Sequence, residues 1–137
     1  MQLLLMDPRP LLATVKAMLE SMLQSNITTL QSVDPAFAAQ LRDRRLPSED
    51  QERLLSYKTS AQKIARMDEL KDLIDSGMHR MDQLNEDEEA FFGRAQQSEA
   101  QWQAQATRVS EALTITKQHG MLILEKLLLM TAVLEGK

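Results

Sequence analysis

MLILEKLLLMTAVL, residues 121–134, is apolar on nearly every side, interrupted only by Glu125, Lys126 and Thr131. A helix on the surface of a globular protein carries an apolar stripe, and one that is hydrophobic all round has to be buried. Three burials answer to that demand. The segment can be the central helix of the chain's own bundle, it can zip against its copy in a homo-oligomer, or it can hold the helix of another protein. The pattern leaves all three open.

The rest of the 137 residues point to an all-α fold, an antiparallel bundle with long coiled-coil-like helices and this apolar helix at the C-terminus. Hydrophobic residues make up 43%, aromatics only 4%, and Gly and Pro number four each. Leu, Ala, Gln, Glu and Met are good helix formers, and β-branched residues never alternate over a run. The length suits a single helical domain over 1–137.

The helices can be placed from punctuation and period. Asp7-Pro8-Arg9-Pro10 is a helix start, because Asp caps and Pro is tolerated in the first turn. Leu11, Leu12, Val15, Met18, Leu19, Met22 and Leu23 then recur at steps of three and four, giving a first helix over about 8–33. Asp34-Pro35 repeats the signal and opens a second, about 35–45, before Leu46-Pro47. Ser48 with Gln51 reads as a capping box. From there Leu54, Tyr57, Ala61, Ile64, Met67, Leu70, Ile74, Met78, Met81 and Leu84 make one face of a third helix, about 49–84, which Gly77 weakens or bends. Asn85 with Glu88 reads as another capping box, opening a fourth helix over about 86–118 with Phe91, Ala95, Trp102, Ala106, Val109 and Leu113 on its face. Its Gln- and Ala-rich middle contributes little core. An unbroken run through 85 is the alternative. Lys117-Gln118-His119-Gly120 reads as a stop, with His119 as a cation on the last turn, so that 121–134 is a fifth helix.

Net charge is −4, from 16 basic and 20 acidic residues, which argues against a nucleic-acid partner. With no cysteine, disulfides, thiolate metal sites and cysteine nucleophiles are excluded. The apolar C-terminal run falls short of the roughly 20 residues a bilayer span needs, and MQLLLM is too short for a signal h-region. The expectation is a cytoplasmic protein without a membrane span. Asp68, Asp72, Asp75 and His79 share one face, but the Glu-x-x-His pairs of di-metal bundles are missing, so a solvated charged face is expected, with no metal or cofactor. No nucleophile–base pair can be drawn, and a non-enzymatic protein is expected. Arg42, Arg44 and Arg45 read as compensation of a helix dipole.

Two pieces of the chain resemble flagellar and type III export chaperones of the hook–filament-junction class. One is Glu52-Arg53-Leu54-Leu55-Ser56-Tyr57-Lys58 leading into Ile64 and Leu70. The other is Lys117-Gln118-His119-Gly120-Met121-Leu122-Ile123-Leu124-Glu125. The chain differs from that family in its Asp34-Pro35 and Leu46-Pro47 interruptions and in lacking an Asn pair at Gln118-His119. The resemblance implies that the C-terminal helix binds cargo through Met121, Leu122, Leu124, Leu127, Leu128 and Val133.

Met130 in the same tail joins this set because methionine suits surfaces that repack, and Trp102 joins it as a candidate interface anchor. The function expected is a chaperone or adaptor that shields an amphipathic helix of another protein. A self-assembling structural coiled coil and a small acidic inhibitor of a larger machine are the alternatives.

Overall fold

The computed structural model describes residues 9–92 and 99–136, without the side chains of 9, 87–92, 100–102 and 105. The fold is all-α. Its helices are α1 (Arg9–Leu30), α2 (Pro35–Arg42), α3 (Ser48–Ser56), α4 (Ser60–Phe92) and α5 (Glu99–Leu134). MQLLLM and the Asp7-Pro8 start signal lie outside the described residues, as do Ala95 and the side chains of Phe91 and Trp102.

The start of α2 follows the expected chemistry. The Asp34 carboxylate accepts a hydrogen bond from the Phe37 N–H at 3.1 Å, with Pro35 in the first turn. Its end comes earlier than the predicted 45. Arg44 takes a left-handed φ of 60°, which closes the helix at Arg42. Ser48 and Gln51 do not form a capping box. Gln51 instead donates to the Leu46 carbonyl at 2.7 Å, and α3 has no side-chain cap.

The predicted helix over 49–84 is two helices. The break at 57–59 is built by Thr59 and Gln62. Thr59 Oγ1 accepts from the Gln62 N–H at 3.1 Å, and Gln62 Oε1 accepts from the N–H groups of Thr59 and Lys58 at 3.0 and 2.8 Å. This is the reciprocal capping box that opens α4. The three-and-four spacing of Leu54, Tyr57 and Ala61 runs across the break by coincidence of phase.

At the other end α4 continues through Asn85 and Glu88, so no helix begins at 86. Gly120 does not stop α5, which runs unbroken through the predicted boundary at 118–121. Gly120 is there for space. A Cβ on it would stand 2.8 Å from Leu41 Cδ1, so the missing side chain lets α2 sit directly on α5. Gly77 has the same reason, since a Cβ there would stand 2.8 Å from the His119 ring.

The C-terminal part of α5 is the axis of the molecule. α4, α1 and α2 all pack on it, and α3 reaches it through Arg53. Ile123, Leu124, Glu125, Lys126, Leu127, Leu129 and Met130 are all buried, which accounts for an apolar coat rather than a stripe. The apolar ones among them join Leu19, Leu23, Ile27 and Leu30 of α1, Ala38 and Leu41 of α2, and Met67, Leu70 and Ile74 of α4 in one core. At about 1.5 Å per residue α5 is ~54 Å long. Its N-terminal part meets α4 through the Arg80–Glu111 ion pair, and Val109 there is 54% exposed.

Candidate functional site

Two polar groups fasten helices to the axis. Glu125, 2% exposed, is gripped from two directions. Arg53 of α3 donates to Oε1 at 2.7 Å, and Arg66 of α4 donates to Oε2 at 2.8 Å and to Oε1 at 3.3 Å. Burial pushes the Glu125 carboxyl up, but the hydrogen bonds from Arg66 and Arg53 outweigh it and hold the group below its ordinary range. The carboxylate therefore stays ionised at neutral pH. This explains how an acidic residue sits in the most apolar stretch of the chain.

His119 is the second fastener, and it is no exposed terminal cation. It is buried inside α5. Nε2 lies 3.0 Å from the Ile74 carbonyl of α4, and Nδ1 lies 3.3 Å from Asn26 Nδ2 of α1. A carbonyl can only accept, so Nε2 carries the proton and Nδ1 accepts from Asn26. Burial lowers the imidazole pKa, against a smaller upward pull from the Ile74 carbonyl. The neutral ring thus clips α1 and α4 to α5.

α1 and α4 both lie on α5 without packing closely on one another. They leave a seam floored by α5. Leu12 stands beside Lys126, Met130 and Val133 at one end. Ser25, Asn26 and Thr29 stand beside Ala112 and Thr116 at the other. α1 therefore runs antiparallel to α5 and parallel to α4. The clip at His119 divides the seam into two cavities. The lower, about 230 Å³, is lined by Leu12, Ile64, Met67, Asp68, Lys126, Met130 and Val133. The upper, about 260 Å³, includes Met78, Met81 and Leu84 of α4 among its walls.

The flanks of the seam are regular. On α1, Leu11 and Met18 share the heptad position of Ser25, which lines the upper cavity. On α4, Ile64 and Met78 occupy one heptad position, and each lines a cavity. Leu11 is 68% exposed, Met18 61%, Ile64 46% and Met78 39%. These four belong to the apolar faces that the sequence assigns to the core. The faces are wider than the contact α5 offers, and that excess width was the available signal.

The residues expected to bind a partner are placed differently from one another. Leu124, Leu127 and Met130 are buried in the core, and Met121, Leu122, Leu128 and Val133 are half-buried against it. Met130 and Val133 also line the lower cavity of the seam. Met121 and Leu122 line a separate cavity of about 240 Å³ beside Arg53 and Glu125. The Trp102 side chain lies outside the described residues. Arg45 pairs with Asp43 near the end of α2 at 3.4 Å.

Among the described residues, no group of three or more His, Asp or Glu side chains is placed to hold a metal ion. None of the described helices is long and apolar enough to cross a membrane. Comparison with family models, curated proteins and solved structures finds no match to this chain.

Proposed function

We propose that this chain is a non-enzymatic protein-binding module, a chaperone or adaptor, that receives one amphipathic helix of a partner protein in the seam between α1 and α4. The observation that carries this reading is the pair of open flanks. Two helices lie on a common third without closing on each other, and each presents exposed large apolar side chains along one heptad line, Leu11 and Met18 seven residues apart on α1 and Ile64 and Met78 fourteen apart on α4. A helix laid there would find matching anchors at its own three-and-four spacing and complete a four-helix arrangement round the seam. The tail residues first named for binding serve this reading from beneath, through Met130 and Val133 on the floor.

The occupant is a foreign helix rather than a second copy. Four partly exposed side chains present less than the roughly 800 Å² per partner of a standard stable interface. Burying each would contribute at most about 1.5–3 kcal/mol before ordering costs. That supports a reversible complex, as an export chaperone's release of cargo would require.

The test is site-specific photo-crosslinking in the native host, with the crosslinker at Met18 or Met78 and, as a control, at exposed Leu55 of α3. The captured protein is then purified and its binding to the wild type is compared with that of the Met18→Ser/Met78→Ser double variant. The expected result is a crosslink confined to the seam positions, mapping to an amphipathic helical segment, and binding weakened at least about tenfold in the variant. Crosslinks to a second copy of this chain would replace the adaptor with a self-assembling subunit. Equal capture at Leu55, or undiminished binding by the variant, would overturn the seam.

A further inference from the structure

Lys126 is the one cation among the described residues that is both nine-tenths buried and without a hydrogen bond or ion pair. Buried charges in proteins are normally paired, and the contrast with its neighbour is sharp. Glu125 receives three hydrogen bonds from two arginines. The ammonium of Lys126 has three donors and lines the lower cavity of the seam, whose other walls are Leu12, Ile64, Met67, Met130, Val133 and Asp68. The charged groups acting on it from a distance all stand on α4. Asp75 and Asp68 favour the ammonium and Lys71 opposes it, while burial is the largest influence and lowers its pKa. None of them satisfies its donors.

We propose that the lower cavity is a binding site for a small monocarboxylate with a short apolar chain, the carboxylate pairing with Lys126 and the chain lying against Leu12, Met67 and Met130. The cavity supplies what such a ligand needs: five apolar walls, and at the floor one unpaired cation whose buried donors gain most from an anionic acceptor. A primary amine of the same length can pair with Asp68 but leaves the buried ammonium of Lys126 unpaired and adds a like charge beside it, and an alcohol leaves the charge uncompensated. The site lies beneath the flanks assigned to a partner helix and does not depend on that assignment.

The test uses octanoate, octanol and octylamine on the full chain carrying ¹³C-methyl-labelled methionine. Met67 and Met130 report on the lower cavity, and Met78 and Met81 on the upper. Octanoate is expected to shift the Met67 and Met130 methyl signals in a saturable way and to leave Met78 and Met81 in place. Octanol and octylamine should each bind at least about tenfold more weakly. Lys126→Met keeps the length of the side chain and removes the buried charge, so the variant folds, and it should lose the preference for octanoate over octanol. Equal affinity for octanoate and octanol, an unchanged preference in Lys126→Met, shifts in all four methionines alike, or no saturable shift would each overturn the proposal. Because no partner protein is present, failure here leaves the crosslinking test of the seam untouched, and failure there leaves this one untouched.

Discussion

The two ends of α5 belong to one unbroken helix and obey opposite rules. Around residues 123–130 every side chain but the half-buried Leu128 is buried, among α1, α2, α3 and α4, and even a glutamate and a lysine are buried. Around residues 103–111 the helix meets α4 through the Arg80–Glu111 ion pair, and its exposed side chains are Gln, Ala, Thr, Val, Ser and Glu. A helix does not have one character along its length. Its composition at each turn records how many neighbours that turn has.

The buried end should break hardest. Glu125→Ala takes the buried carboxylate from Arg53 and Arg66, leaving Arg66, 16% exposed at its side chain, with the largely exposed Glu69, and Arg53 with Asp50. Removing one partner of a buried pair costs about 3–5 kcal/mol. Leu127→Ala beside it should cost about 2–5 kcal/mol from lost burial and the residual cavity. Urea unfolding read by circular dichroism measures both. A loss below about 1 kcal/mol for Glu125→Ala would mean that α3 and α4 do not rely on this carboxylate.

Gly77→Ala sets two effects against each other. Alanine gains about 1 kcal/mol of helix propensity. Its Cβ would meet a His119 ring that cannot swing away without losing Asn26 or the Ile74 carbonyl. Overpacking of this kind costs about 1–3 kcal/mol, so a net loss of about 1 kcal/mol is expected. A stabilised variant would show that the ring has room to move.

The clip also predicts a pH dependence with a definite sign. The His119 pKa lies below its ordinary 6.5 in the folded chain, because burial opposes the imidazolium. The unfolded chain therefore binds the proton first. The stability held by the neutral ring is complete above pH 6.5 and drains away as the pH falls from there through the lowered folded value. Urea midpoints measured from pH 7.5 down to 5.0 should fall in the wild type, and this part of the fall should vanish in His119→Gln. Below about pH 4.5, protonation of Glu125 adds a second loss of the same sign.

Much of this fold is legible in the residues, and where it is not the reason is physical. Asp34-Pro35 marks α2 because its chemistry is local. Thr59-Ser60-Ala61-Gln62 is just as local and just as readable, but the apolar phase running through Leu54, Tyr57 and Ala61 masks it. Gly120 and the cations before it look like a helix end because sequence cannot distinguish a glycine that turns from one that makes room. Only the arrival of Leu41 decides. The seam is the hardest to read. Leu11, Met18, Ile64 and Met78 are indistinguishable by period from the buried Leu19, Leu23, Leu70 and Ile74, since what separates them is that α1 and α4 do not pack closely on each other.

The other end of α5 should hardly respond. Val109 is 54% exposed, so little of its apolar surface leaves water on folding. Glutamine in its place loses that small burial and recovers a few tenths of a kcal/mol of helix propensity, because an unbranched side chain keeps its χ1 freedom in a helix. The two nearly cancel, and the urea midpoint of Val109→Gln should stay within about 0.5 kcal/mol of the wild type. The same change at Leu124, fully buried and fifteen residues along the same helix, should be among the most damaging the chain can suffer. If Val109→Gln were instead to cost more than about 1 kcal/mol, or to change the mass seen by light scattering, something beyond α4 would have to cover this end of the helix in solution. The difference between the two halves of α5 would then lie in which molecule supplies the neighbours, not in how many there are.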